Sequence, residues 1–148
     1  MDEFKMKLFT SYDPLSSNQT AGTVDFLHTH LDQFGDPKDH ISKAIDYAIS
    51  DNEGEGGFVI NCLDGDKIIG TVVVNKTGME GYIPENILVY IAVDKTYRGK
   101  GLGKKLMQYA LKVSDGGVAL HVEPDNPAKF LYEKLGFENK YLEMRYTK

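Results

Sequence analysis

The sequence predicts a mixed α/β layer fold in a single domain covering residues 1–148. Three observations carry this reading. The apolar spacing switches between helical and strand-like, in the order strand, two helices, three strands, helix, strand, helix, strand. Ile87–Val93 is an unbroken apolar run, as expected of a strand buried on both faces. Directly after it a glycine-rich turn opens an amphipathic helix, so the second half reads as strand–helix–strand units.

Taken in order, Lys5–Thr10 is the candidate first strand. Across Ser17–Phe34 the residues Val24, Phe26, Leu27, Leu31 and Phe34 recur at helical spacing, and Gly35 stops the helix. Asp36-Pro37 restarts one, with the acid at the N-cap and proline in the first turn. Ile41, Ala44, Ile45 and Ala48 give this second helix one apolar face. Phe58–Leu63 and Lys67–Asn75 are strands joined by the hairpin signal Asp64-Gly65-Asp66. Gly101–Ser114 is helical, with Leu102, Leu106, Met107, Ala110 and Leu111 on one stripe and Gly116 and Gly117 at its end. Val118–Val122 is the next strand. Pro127–Leu135 is a short helix opened by Asp125 or Asn126 and closed by Gly136. Phe137–Tyr146 has room for one or two terminal strands.

Composition narrows the function classes. Net charge is −5, from 22 acidic and 17 basic residues, which disfavours a nucleic-acid partner and mildly favours a cationic one such as an amine. The longest apolar run is far short of the roughly 20 residues of a membrane span, so no membrane partner is expected. Met1-Asp2-Glu3 opens acidic, with no apolar signal region behind it, and Cys62 is the only cysteine. A cytoplasmic, reducing setting is the expectation. Cys62, flanked by Asn61 and Leu63 in a strand, reads as a core thiol rather than a nucleophile. His28 and His30 point to different faces of a helix and have no third ligand in sequence reach, so no metal is expected.

The chemistry concentrates in Ile91-Ala92-Val93-Asp94-Lys95-Thr96-Tyr97-Arg98-Gly99-Lys100-Gly101-Leu102-Gly103-Lys104. A helix N-terminus carries unpaired N–H groups and the positive end of the helix dipole. Gly99, Gly101 and Gly103 remove the side chains that would keep a diphosphate from those groups. Arg98, Lys100, Lys104 and Lys105 add positive charge. The spacing is not that of the dinucleotide fingerprint, and the Gly-Lys-Ser/Thr ending of a P-loop is missing. The residues themselves therefore define a site for a phosphate-bearing ligand without choosing the ligand.

Arg98-Gly99-Lys100-Gly101-Leu102-Gly103 resembles the Arg/Gln-x-x-Gly-x-Gly/Ala motif of the GNAT superfamily of N-acetyltransferases. Leu120 to Phe137, with Asn126, Ala128 and the run Tyr132-Glu133-Lys134-Leu135-Gly136-Phe137, resembles that family's next strand and helix. The resemblance covers Ile87–Phe137, about a third of the chain. It implies a mostly antiparallel central sheet flanked by helices, and acetyl-CoA as cosubstrate. It further implies transfer of the acetyl group to a primary amine: a protein N-terminus, a lysine or a small amine. The N-terminal helices would help to shape the acceptor site.

Residue by residue, the resemblance gives Ile91, Ala92 and Val93 the role of pairing with the pantetheine arm. A backbone N–H near Val93 would polarise the thioester carbonyl. Gly99, Lys100, Gly101, Leu102, Gly103 and Lys104, with Arg98, would hold the diphosphate, and Asn126 would contact the cofactor near the pantetheine arm. Tyr132 would be the general acid for the leaving thiolate. Some relatives carry a catalytic Glu where this chain has His121, a departure. His121, or Glu123 two residues on along the same strand face, is the candidate base. Glu85 precedes the central strand, on which other relatives carry an acid, and Tyr82 and Ile83 are candidates for a loop near the acceptor. Asp25, Asp32, Asp36 and Asp39 hint at a cationic acceptor, although a solvated helix face has the same composition. The terminal strand can pair between chains, a route to a homodimer. The competing class is a CoA-binding sensor or interaction module without transfer chemistry.

Overall fold

A computed structural model describes residues 4–148; residues 1–3, with the acidic opening, lie outside it. Five strands form one sheet in chain order: β1 (Lys5–Phe9), β2 (Gly57–Asp64), β3 (Lys67–Lys76), β4 (Asn86–Val93) and β5 (Val118–Leu120). The first three pairings are antiparallel and β4–β5 is parallel. Four helices flank the sheet: α1 (Ser17–His30), α2 (Lys38–Ala48), α3 (Leu102–Val113) and α4 (Ala128–Lys134). This is the mostly antiparallel, helix-flanked architecture that the motifs imply.

The two-residue alternation of strands sorts side chains into two cores. On one face Phe58, Ile60, Cys62, Val72, Val74 and Leu88 meet Leu102, Leu106 and Met107 of α3 and Tyr132 of α4. On the other, Val59, Val73 and Ala92 meet Val24 and Leu27 of α1 and Ile41 and Ile45 of α2. A buried polar chain crosses this second core. Asn61 Nδ2 donates to Thr23 Oγ1 at 3.0 Å, and Thr71 Oγ1 donates to Asn61 Oδ1 at 2.8 Å. Thr23 Oγ1 in turn donates to the Gln19 carbonyl at 2.8 Å, so the chain is satisfied and fixes α1 on β2 and β3.

Helix α1 starts at a capping box: Ser16 Oγ accepts from Gln19 N–H, and Gln19 Oε1 accepts from Ser16 N–H. It stops at His30 rather than Phe34, because Asp32 takes φ 56° and the chain tightens into a 3-10 turn over Asp32–Phe34. Asp36 does not cap α2. Pro37 is the flanking residue, its carbonyl accepts from Ile41 N–H at 3.1 Å, and the Asp36 carboxylate accepts from the Tyr90 hydroxyl instead. The β2–β3 hairpin closes on two residues, Gly65 and Asp66, with Asp64 paired to Lys67. In β4 only Asn86, Leu88 and Ala92 are buried, so the strand is packed on both faces without being enclosed.

Two further expectations are corrected. The strand after α3 ends at Leu120, so His121 and Glu123 do not share a strand face. Residues 137–148 form no strand, and Tyr141, Leu142, Met144 and Tyr146 are exposed. None of the described helices is long and apolar enough to cross a membrane.

Gly57 carries φ 139°, and a Cβ there would stand 2.0 Å from the Val74 carbonyl oxygen. Backbone cannot retreat as a side-chain tip can. Gly57→Ala is therefore expected to cost about 2 kcal/mol or more. Urea unfolding would read this, and an unchanged midpoint would mean that the β2–β3 edge re-registers freely.

Candidate active site

The site begins where the sheet stops being a sheet. β4 and β5 pair only over Asn86–Leu88 and Val118–Leu120. Beyond that, residues 89–93 have β3 on one side and, among the described residues, no strand on the other. The opening has a local cause. Val73 pairs with Tyr90 and Val74 with Leu88, leaving Val89 as an extra residue that bulges β4 at the point of parting. Asp94 N–H donates to the Ile69 carbonyl of β3 at 2.8 Å. The strand alternation then turns the N–H groups of Val93 and Ile91 toward the open side. Ala92, between them, buries its side chain in the α1–α2 core. Ile91 and Val93 pack against the α3 core.

The glycine turn follows at once. Gly99 and Gly101 both have φ 80°, with open space where a Cβ would stand. Gly101 has no side chain to cap α3, and the first helical bond runs from Lys105 N–H to the Gly101 carbonyl. The N–H groups of Leu102, Gly103 and Lys104 precede it and have no helical carbonyl to reach. A cavity of about 390 Å³ lies in front, lined by Gly101, Gly103, Lys104, Leu131, Lys134 and Leu135. Gly103 marks a convergence: its Cβ position is 3.8 Å from both Val93 Cγ2 and Leu131 Cδ2, so β4, α3 and α4 meet there.

The expected site residues divide. Gly101, Gly103 and Lys104 face the cavity, whereas the Leu102 side chain points into the core. Lys100 Nζ lies 5.5 Å over the Tyr97 ring. Arg98 turns away from the glycines, to Val93 O, His30 O and Asp32. Asn126 Oδ1 accepts from Ala128 N–H at 3.0 Å and so closes the first turn of α4. Lys134, to which the motif run Tyr-Glu-Lys-Leu-Gly-Phe gave no binding role, is a cation on the cavity wall. Tyr132 is buried against the α3 core, 6.0 Å from the Phe137 ring. Burial raises its pKa, which keeps the phenol protonated. Its hydroxyl makes no side-chain hydrogen bond among the described residues. His121 is exposed, with Nδ1 4.0 Å from Glu143 Oε1, and Glu123 is exposed.

Other candidates are occupied elsewhere. Glu85 accepts from Gly117 N–H at 2.6 Å and Gly81 N–H at 3.1 Å, which fastens the turn after α3. Tyr82 and Ile83 sit on the loop that enters β4 at Asn86, the opposite end from the glycine turn. Of the four helix-region aspartates, Asp25 pairs with Lys38, Asp32 with Lys95 and Arg98, and Asp36 with Tyr90. Among the described residues no group of three His, Cys, Asp or Glu side chains is placed to hold a metal ion.

Among the described residues three carboxyls have pKa values below their ordinary ones. The Thr96 N–H holds Asp94 down, opposed by burial and helped by the Thr96 hydroxyl, His30 and Lys67. A hydrogen bond from Lys95 lowers Asp32, and the Gly117 and Gly81 N–H groups lower Glu85. The unfolded chain therefore binds more protons than the folded one in this range. Their contribution to stability is complete above the ordinary values of 3.8 and 4.5 and drains as pH falls through the lowered ones. The melting temperature is expected to hold from pH 7 to about 5 and then to fall.

A family model for the acetyltransferase (GNAT) family matches residues 23–137. A ribosomal protein bS18-alanine N-acetyltransferase of Haemophilus influenzae is 30% identical over 102 residues, 66% of this chain and 66% of that protein. N-alpha-acetyltransferase 30 of Schizosaccharomyces pombe is 34% identical over 85 residues, 54% of this chain and 57% of that protein. The chain thus spans about two-thirds or less of the lengths of these two relatives. Among solved structures, a possible acetyltransferase of Clostridium difficile 630 superposes with TM-score 0.68 at 20% identity, covering 97% of each chain. The chain belongs to the acetyltransferase (GNAT) family, whose members are acetyl-CoA-dependent acyltransferases.

Proposed function

We propose that this chain transfers the acetyl group of acetyl-CoA directly to a primary amine, with a peptide N-terminus as the first acceptor class to test. The carrying observation is the junction of an open β4 edge with an uncapped, glycine-lined helix start. The free N–H groups of α3, with Lys104 and Lys134, suit a diphosphate. The outward N–H groups of Ile91 and Val93 suit an extended pantetheine amide chain and the thioester carbonyl oxygen. The acceptor class is supported by the relatives, which are named as an alanine N-acetyltransferase acting on a ribosomal protein and an N-alpha-acetyltransferase.

In the reaction the amine nitrogen bonds to the acetyl carbon and the carbon–sulfur bond breaks. The amine proton leaves to a base, and the sulfur takes a proton. Tyr132, buried and protonated, is the proposed donor to sulfur. Deprotonating an α-amine near pKa 7.8 at pH 7 costs about 1 kcal/mol, against about 4.6 kcal/mol for a lysine near 10.4. An N-terminal acceptor therefore suits a site whose base candidates, His121 and Glu123, are both exposed. A cytoplasmic setting and a single domain belong to the same proposal.

The test is release of free thiol from acetyl-CoA with peptides bearing free N-termini, N-blocked lysine peptides, a polyamine and an aminoglycoside. Turnover with free N-terminal peptides supports the reading. Turnover with small amines alone moves the acceptor class. Binding of acetyl-CoA without thiol release on any acceptor would establish the non-enzymatic CoA-binding module instead.

A further inference from the structure

We infer that Arg98 and Asp32 form a latch by which the α1–α2 connection sets the geometry of the acetyl-CoA site, an inference that rests on the function proposed above. Arg98 opens the Arg-x-x-Gly-x-Gly turn, yet each nitrogen of its guanidinium faces an oxygen of β4 or of the end of α1 and the connection after it. Nε donates to the Val93 carbonyl at 3.0 Å and Nη2 donates to the His30 carbonyl at 2.8 Å. Nη1 lies 3.5 Å from Asp32 Oδ2, and Lys95 Nζ lies 2.8 Å from Asp32 Oδ1. Two of the cations nearest the turn, Lys95 and Arg98, thus share one carboxylate, which offsets one of their two charges. Lys100, Lys104 and Lys134 are left for phosphate oxygens.

Asp32 is the only described non-glycine residue with positive φ, at 56°. Such a conformation is strained for a residue with a Cβ and persists only where its surroundings hold it. Here the holding groups are Lys95 and Arg98, both on the segment that leads into the glycine turn. Three neighbouring contacts reinforce the tie. His30 Nε2 and Lys67 Nζ each stand 3.6 Å from Asp94 Oδ2, and Asp36, on the same connection, accepts from Tyr90 of β4. The end of β4 is therefore fastened to the end of α1. Any shift of the connection moves the Val93 carbonyl and the turn behind it. Linkage requires the reverse as well: acetyl-CoA, by fixing β4 and the turn, must order the connection. Arg98 and Asp32 are positioning residues in this scheme and touch no phosphate.

The experiment is calorimetry with acetyl-CoA on the full chain as wild type, Asp32→Asn, Arg98→Gln and the double variant. Hydrogen exchange at residues 31–37 is followed in parallel, and circular dichroism checks folding. Each single variant is expected to weaken binding about five- to tenfold, and the double variant no further than either single. Acetyl-CoA is expected to slow exchange at residues 31–37 in the wild type and not in Asp32→Asn, a response that a merely structural role would not produce. Additive losses with no ligand-dependent protection would mean that Arg98 contacts phosphate directly, and the latch would be overturned. Should Arg98→Gln fail to fold, the exchange response of Asp32→Asn alone decides. A wild type that binds no acetyl-CoA overturns the proposed function and the latch together; a wild type that binds with additive losses overturns the latch only.

Discussion

Gly103→Glu is expected to weaken acetyl-CoA binding by a hundredfold or more, about 2.7 kcal/mol, with little change in folding. Gly103 is in the first turn of α3, on the cavity wall beside Lys104, and its N–H is one of those left without a helical partner. A carboxylate there places like charge against a diphosphate. At 4 Å and an effective dielectric near 20, one such pair costs about 4 kcal/mol. Gly103 is a cleaner test than Gly101, whose φ of 80° would add backbone strain to any substitution. Gly103→Ala is the control. Its Cβ would meet Leu131 Cδ2 and Val93 Cγ2 at 3.8 Å, an ordinary contact, and alanine gains about 1 kcal/mol of helix propensity. Alanine should raise stability and keep affinity within about threefold, and calorimetry on the two variants separates charge from bulk. Equal affinity for Gly103→Glu and wild type would remove the phosphate site from this turn.

Tyr132→Phe is expected to lower kcat by about a hundredfold while leaving acetyl-CoA affinity unchanged, the lower end of what general acid–base catalysis contributes. The phenol ring is buried in the α3 core, and its hydroxyl makes no side-chain hydrogen bond among the described residues and is not one of their enclosed, unpaired polar atoms, so the substitution breaks no such bond and leaves no partner unpaired. Removing that oxygen should therefore leave the protein as stable or slightly more so. The pairing of lower kcat with an equal or higher melting temperature distinguishes an acid from a packing residue. Unchanged kcat would return Tyr132 to the core and leave the thiolate to depart unassisted, which its moderate basicity (thiol pKa about 8.5) permits.

The parts of this molecule that were legible beforehand are those fixed by local chemistry. Gly99, Gly101 and Gly103 announce a helix start that a phosphate can approach, because the absence of a side chain is written residue by residue. The stripe Leu102, Leu106, Met107, Ala110 and Leu111 defines one face of α3 by its spacing; the first four are buried and Leu111 is half-buried against the same core. Cys62, between Asn61 and Leu63, is in the core, where strand alternation in a two-faced sheet puts it. The element order through α4 and the family motif follow from the same local signals.

What only the tertiary structure decided depends on partners distant in sequence. The opening beside residues 89–93 arises because β5 stops at Leu120 and Val89 bulges, and both are outcomes of pairing, which apolar runs do not encode. That same early stop separated His121 from Glu123, and residues 137–148 carry strand-like composition without a strand. Arg98 reads as a phosphate ligand from its neighbours in the chain; in space its nearest acceptors are His30, Val93 and Asp32. The sequence by itself marked the open helix start at which phosphate binding is proposed. The fold determined which charges remain to bind it, because an ion pair forms with whatever approaches within a few ångströms, and that neighbour lies 66 residues away in the chain.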